Sequence, residues 1–228
     1  MPFDIHTFKT RSLTALIFTI IMLAGLLLNI WTFITLMLVI HFGCWQEFIR
    51  LLKIIYHNQY AKYVLLGLFY ISLPVIMMTD LRLTHIPGSP ATDNMLKVIP
   101  CGIIFSIWIN DTMAYLVGSF IGKHPLSKIS PKKTWEGTIG GAILCITVIT
   151  TIAYFTHLYD MTTWIAISSL AAVFGTLGDL LESKLKRSAN VKDSGSIMPG
   201  HGGFLDRFDS FLIATPMVWI FVELWLKA

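Results

Sequence analysis

Between Gly178 and Ser210 the chain reads GDLLESKLKRSANVKDSGSIMPGHGGFLDRFDS, which sets five carboxylates, five Lys or Arg, one His and five Gly between two strongly apolar segments. A charge at the centre of a membrane helix costs roughly 2.5–3.5 kcal/mol on insertion scales, so a cluster of this density at a membrane boundary points to a site. Asp179, Glu182, Ser183 and Lys186 stand at i, i+3, i+4 and i+7, and they share one face if their helix continues past the membrane surface. Asp206 and Asp209 are again three apart, at the start of the last apolar segment. Carboxylates brought together from two helix ends suit a hard cation such as Mg²⁺, which takes a few carboxylate oxygens and completes its octahedron with water and phosphate. The same acids beside Lys186, Arg187, Lys192 and Arg207 equally suit a salt-bridged structural network.

Three further features carry chemistry. Pro199-Gly200-His201-Gly202-Gly203 precedes the last helix, where glycines let backbone N–H groups approach an anion; the plainer reading is a flexible turn. Ser130-Pro131-Lys132-Lys133-Thr134-Trp135-Glu136-Gly137 offers two lysines and two hydroxyls to a polyphosphate or a lipid phosphate, or else anchors the chain at the interface through its positive charge and Trp135. Asn110-Asp111 lies in an apolar segment, where an acid should face a bundle interior or a water-filled cavity. Gly118 and Gly122, four apart, suit close helix packing.

The elements that must position these residues are membrane helices. Over 228 residues the chain is 55% hydrophobic and only 13% charged, with mean hydropathy +0.70, which excludes an ordinary soluble domain. Apolar stretches near residues 13–30, 31–49, 63–79, 98–119, 137–157, 162–181 and 208–226 reach the roughly 17–25 residues that a spanning helix needs, and none alternates like a barrel strand. The expected fold is all-α: a polytopic membrane helical bundle of about seven helices, with eight as the alternative. The least defined boundary is the first hairpin, interrupted only by Asn29 and Trp31. The first span lacks a small-residue cleavage site and reads as retained. With a cytoplasmic N-terminus, 14 Lys and Arg fall inside and only Arg82, Lys97 and Lys227 outside, so the loops 120–136 and 182–207 both face the cytoplasm. Cys44, Cys101 and Cys145 lie in apolar segments without metal-ligand spacing and read as packing residues. The loop 80–97 reads as an ordinary connection.

Taken together, the motifs resemble the phosphatidate cytidylyltransferase (CDP-diacylglycerol synthase) family. The resemblance rests on Ser183-x-x-Lys186-Arg187, Lys192-Asp193-Ser194, Pro199 to Gly203 and Asp206-Arg207-x-Asp209, and extends back through Gly178-Asp179, Ser130 to Gly137 and Asn110-Asp111-x-x-Ala114-Tyr115. It covers roughly residues 108–212, so residues 1–97 read as transmembrane helices without a recognised motif and 98–228 as the catalytic region. It implies transfer from CTP to phosphatidic acid at the cytoplasmic face of a cytoplasmic membrane, giving CDP-diacylglycerol and pyrophosphate. It further implies a metal centre of Asp179, Asp206 and Asp209 holding one or two cations, Mg²⁺ first, with Lys186 beside them in catalysis. Ser183, Arg187, Lys192, His201, Gly202, Arg207, Lys132 and Lys133 would contact phosphates, and Asn110 and Asp111 would orient nucleotide or cation. No nucleic-acid partner is expected, and a homodimer fits a bundle with lateral lipid access. The competing readings are a CTP-dependent enzyme on another lipid (a polyprenol kinase or an ether-lipid cytidylyltransferase) and a transporter with Asp111 and Asp179 on a cation path.

Overall fold

The first hairpin is closed by two side chains, Asn29 and Thr32. Helix α1 (Ile5–Leu27) ends two residues before Asn29, whose side-chain oxygen accepts from the amides of Trp31 (2.9 Å) and Thr32 (3.1 Å), while the Thr32 hydroxyl accepts from the Asn29 amide. This reciprocal box satisfies amides that a helix start leaves without partners and fixes the break where the sequence signal is least defined. The computed structural model describes residues 5–87, 90, 92–196 and 202–227.

Helix α2 (Ile30–Tyr56) runs beyond the expected end at residue 49 and carries Arg50 and Lys53 in its last turns. Next come a short helix, α3 (Ala61–Val64), a π-turn over Leu68–Ser72 and helix α4 (Leu73–Leu83). The widened turn immediately precedes Pro74, which has no N–H to continue the i→i−4 ladder. The remaining helices are α5 (Asp93–Ile121), α6 (Trp135–Thr156), α7 (Met161–Ser188) and α8 (Leu205–Phe221).

Helix starts are capped by side chains: Thr92 accepts from Met95 at α5, and Thr134 from Gly137 at α6. Asp160 precedes α7 and accepts from the hydroxyls of Thr162 and Thr163, which hold its carboxyl below the usual range.

Among the described residues, six segments are long and apolar enough to cross a membrane: Ile30–Gln59, Ala61–Leu83, Asp93–Ile121, Trp135–Thr156, Met161–Ser188 and Leu205–Leu226. The first expected span corresponds to a shorter apolar helix, Ser12–Leu27. Among the described residues there is no strand, only an isolated bridge between Pro125 and Thr134. The fold is therefore an all-α polytopic membrane bundle, as the hydropathy implies.

The chain divides into two compact units, Met1–Val75 with Leu185–Phe208, and Ile76–Lys184 with Asp209–Ala228. In the first, Phe33, Leu36, Met37 and Ile40 of α2 are buried, and Trp45 lies over Gly67, where a Cβ would sit 2.5 Å from the ring. In the second, α5 and α6 approach closely. A Cβ on Gly141 would sit 2.7 Å from Ala114, and one on Gly137 would sit 2.9 Å from the Gly118 Cα. Gly118 and Gly122 thus pack as their spacing suggests, against the Thr134–Gly141 face. Cys145 is buried with its thiol on the Ser106 carbonyl (3.2 Å), and Cys44, Cys101 and Cys145 are buried thiols outside any disulfide.

Gly141→Val should force α5 from α6 and lower the thermal midpoint in detergent, at a cost of about 1–3 kcal/mol. Ile143→Ala, at an exposed position on the same helix, is the control expected to change little. Equal midpoints for the two variants would refute the close approach.

Candidate active site

The residues singled out by type and spacing fall into two groups, one in each unit. In the second unit the loop from Gly122 to Thr134 is folded back on itself. Leu126 donates to the Lys133 carbonyl (2.7 Å), Trp135 to that of His124 (2.9 Å), and Lys133 to that of Ser130 (3.1 Å). The last bond closes a turn with Pro131 and Lys132 at its two central positions, and the fixed φ of proline suits the first of them. Glu136, in the first turn of α6, ties the loop down by accepting from the amides of Lys123 (3.1 Å) and His124 (3.2 Å) and from the His124 ring (2.5 Å). The pair of lysines is thus held on a turn anchored at both ends.

Lys133 forms an ion pair with Asp179 of α7. Both line a cavity of about 530 Å³, together with Lys132, Asn110 and Asp111. Asn110 is buried, and its amide lies 3.5 Å from the Asp111 carboxylate. Ser183, one turn beyond Asp179, donates to it (3.1 Å).

Helix α8 reaches this group where α7 carries Gly178. A Cβ there would sit 2.3 Å from the Asp209 carbonyl, so only glycine admits the crossing. The crossing brings the Asp209 carboxyl within electrostatic reach of Asp179, Asp111 and Lys133. Glu182, on the same turn of α7 as Ser183, is fully buried.

The first unit holds the second group. Lys186 donates to Asp206 Oδ1 (2.5 Å), and Asp206 Oδ2 accepts from the amides of Ser194 (2.8 Å) and Gly203 (2.8 Å). Gly202 has φ +80°, a left-handed conformation that favours glycine, and a Cβ there would sit 2.5 Å from Asp206 Oδ2. Helix α7 ends in a left-handed residue, Asn190 (φ 54°), with Val191 donating to the Lys186 carbonyl (3.0 Å), the pattern that closes helix C-termini. Arg187 donates to the Val191 carbonyl (3.2 Å). Lys192 and Arg207 are exposed. His201, with Pro199 and Gly200, lies outside the described residues.

Helix α7 runs unbroken beyond the expected span end at residue 181, to Ser188, so Asp179, Glu182, Ser183 and Lys186 stand on one continuous helix. The three acids expected at a metal centre divide between the groups: Asp179 and Asp209 lie in the second unit, and Asp206 is engaged with Lys186, Ser194 and Gly203 in the first. Among the described residues no three acid, histidine or cysteine side chains stand together closely enough to hold a metal ion by themselves.

Sequence reasoning missed Glu47. This acid of α2 accepts from the amides of Phe204 and Leu205 and from the Ser194 hydroxyl. It lies within the apolar segment expected over 31–49, so the rule that singled out Asp111, an ionisable residue inside an apolar run, applies to it equally.

Comparison with known proteins places these residues in a family. The sequence profile of the cytidylyltransferase family matches residues 57–225, about three quarters of the chain. The chain belongs to the cytidylyltransferase family. It is 49% identical over 115 residues to a phosphatidate cytidylyltransferase of Staphylococcus aureus (strain COL). Over stretches of the same length it is 47% identical to the protein of that name from Staphylococcus epidermidis and 45% to that from Staphylococcus haemolyticus. Each match spans 49% of this chain and 44% of the relative, so the shared stretch is less than half of either protein. The cytidylyltransferase profile begins ten residues after Glu47 and takes in every other residue of the two groups.

Gly202→Ala is expected to push Asp206 aside, speed hydrogen exchange at the Ser194 amide and lower the thermal midpoint. Ser196→Ala, at an exposed position in the same loop, should change neither. Wild-type exchange in Gly202→Ala would show that Gly202 does not constrain Asp206.

Proposed function

We propose that this chain transfers the cytidylyl group of CTP to phosphatidic acid, forming CDP-diacylglycerol and pyrophosphate, with the reaction at the cytoplasmic face of a cytoplasmic membrane. The observation that carries this reading is the cavity in which Lys132 and Lys133, on an anchored turn, meet the carboxylates of Asp179 and Asp111. Such a lining suits a polyphosphate and its counter-cation together. Membership of the cytidylyltransferase family supports CTP, the names of the staphylococcal relatives support the lipid acceptor, and the excess of Lys and Arg on one side supports the orientation.

The phosphate monoester of the lipid is already anionic at pH 7, so no strong base is required. One of its oxygens bonds to the α-phosphorus of CTP as the bond from that phosphorus to the α–β bridging oxygen breaks, and the electron pair leaves on pyrophosphate. The work of the protein is alignment and neutralisation of charge. Lys132 and Lys133 neutralise the leaving pyrophosphate, with Lys133 exchanging Asp179 for phosphate oxygen. By resemblance Ser183, Lys186, Arg187, Lys192, His201, Gly202 and Arg207 contact phosphates, and Asn110 and Asp111 orient the nucleotide.

Asp179 and Asp209 fit the Mg²⁺ that the resemblance implies. They are hard oxygen donors within electrostatic reach of each other, and Mg²⁺ is commonly bound through one or two carboxylates with water and phosphate completing its shell. Asp206 is the third acid of the implied set. When bound, the cation neutralises phosphate charge.

The test is pyrophosphate release by detergent-purified protein given CTP, phosphatidic acid and Mg²⁺, with each component omitted in turn and the lipid product identified. Release requiring all three, with CDP-diacylglycerol formed, is expected; no release from monodisperse protein would overturn the reading. Asp209→Asn should lower turnover by about 100-fold or more at an unchanged thermal midpoint. Near wild-type turnover in that variant would remove Asp209 from the site.

A further inference from the structure

Glu47 is an acid buried in an apolar helix, 7% exposed, a placement that costs several kcal/mol unless every lone pair finds a donor. Its partners all come from the segment 194–205. Oε1 accepts from the Phe204 amide (2.9 Å), and Oε2 from the Leu205 amide (2.9 Å) and the Ser194 hydroxyl (2.6 Å). Leu205 begins α8, so the carboxylate also sits at the positive end of that helix. Room for it exists because Gly195 and Gly203 have no side chain: a Cβ on either would sit 2.1 Å from Oε1.

Ser194 links this acid to a second one. Its hydroxyl lies 2.6 Å from Glu47 and 2.9 Å from Asp206 Oδ2, and its amide donates to that same Asp206 oxygen (2.8 Å). The single hydroxyl proton goes over the shorter distance to Glu47, and the amide serves Asp206. The other oxygen of Asp206 holds Lys186. We propose that Glu47 is a positioning residue: through Ser194 it fixes Asp206 and with it the Lys186 ammonium, and through two amides it fixes the start of α8. What Lys186 is positioned for rests on the cytidylyltransferase reading; the linkage itself does not.

The charge is essential to this role. Glutamine in the same place would direct an NH₂ group at an N–H or O–H donor, losing at least one of the three bonds. Ser194→Ala removes the hydroxyl bond through which Glu47 holds Ser194, keeps the Ser194 amide on Asp206, and leaves both α8 amides on Glu47. The two variants therefore separate capping from positioning.

The experiment measures acetylation of Lys186 by an amine-reactive ester, read by mass spectrometry, alongside amide hydrogen exchange and steady-state kinetics. In the intact protein Lys186 is largely buried against Asp206 and should react slowly. Both Glu47→Gln and Ser194→Ala should raise its labelling rate several-fold, while exchange at Phe204 and Leu205 speeds up only in Glu47→Gln. Both should lower kcat/KM for CTP by about tenfold or more, because misplacement of a phosphate-binding group is costly, and Ser194→Thr, which keeps the hydroxyl, should recover part of that loss. Wild-type Lys186 labelling and CTP saturation in Ser194→Ala would reduce Glu47 to a helix cap and overturn the proposal. Should Glu47→Gln fail to fold, Ser194→Ala decides alone. A wild-type protein inactive on CTP and phosphatidic acid, with Lys186 labelling still responding to both substitutions, would sink the function and leave the positioning intact.

Discussion

A buried carboxylate at the start of a helix is the constraint on which the polar segment before α8 depends. Glu47 gives acceptors to two backbone amides and a hydroxyl, and bonds to a charged acceptor are worth roughly 1.5–3 kcal/mol each. Ser194, Gly195 and Gly203 bring little apolar surface to bury. Ser194, Phe204 and Leu205 are held instead by electrostatics in a poorly solvated place, where each bond is strong and each omission costly. The glycines are the complement of that choice, since the acid occupies the volume where their side chains would be.

The second unit solves its positioning problem with shape. Small residues on α5 and α6, and Gly178 against the backbone of α8, let helices approach until short polar side chains face each other. In a bilayer, where apolar burial gives helices little reason to associate, such packing is the available source of specificity. Asp179, Ser183 and Asp209 are short side chains on helix backbones and gain precision from that rigidity. The lysines, which are long and flexible, are disciplined instead by the proline turn and by Glu136.

Much of this was legible in the residues. Helix length and apolarity mark the spans, and the cluster from Gly178 to Ser210 stands out because charge is scarce elsewhere. The spacing of Asp179, Glu182, Ser183 and Lys186 holds because α7 continues to Ser188. Three things escaped. The full length of α2 was hidden because Arg50 and Lys53 mark the end of an apolar run without ending a helix. The π-turn before Pro74 leaves no hydropathy signal. Glu47 carries the signal of an ionisable residue inside an apolar run, but its role was hidden: its partners lie about 150 residues away in the chain, and no local pattern encodes which distant amides an acid accepts from.

That separation bears on how the protein can vary. The stretch that matches the cytidylyltransferase family begins at residue 57, after the helix that carries Glu47. The recognisable signature is therefore not a portable module: transplanted or recombined without its own α2, it would arrive with every familiar residue and without the acceptor for Ser194, Phe204 and Leu205. Substitutions at Gly195, Gly203 and Glu47 should be inherited jointly, since a larger residue at either glycine is tolerable only beside a shorter acid.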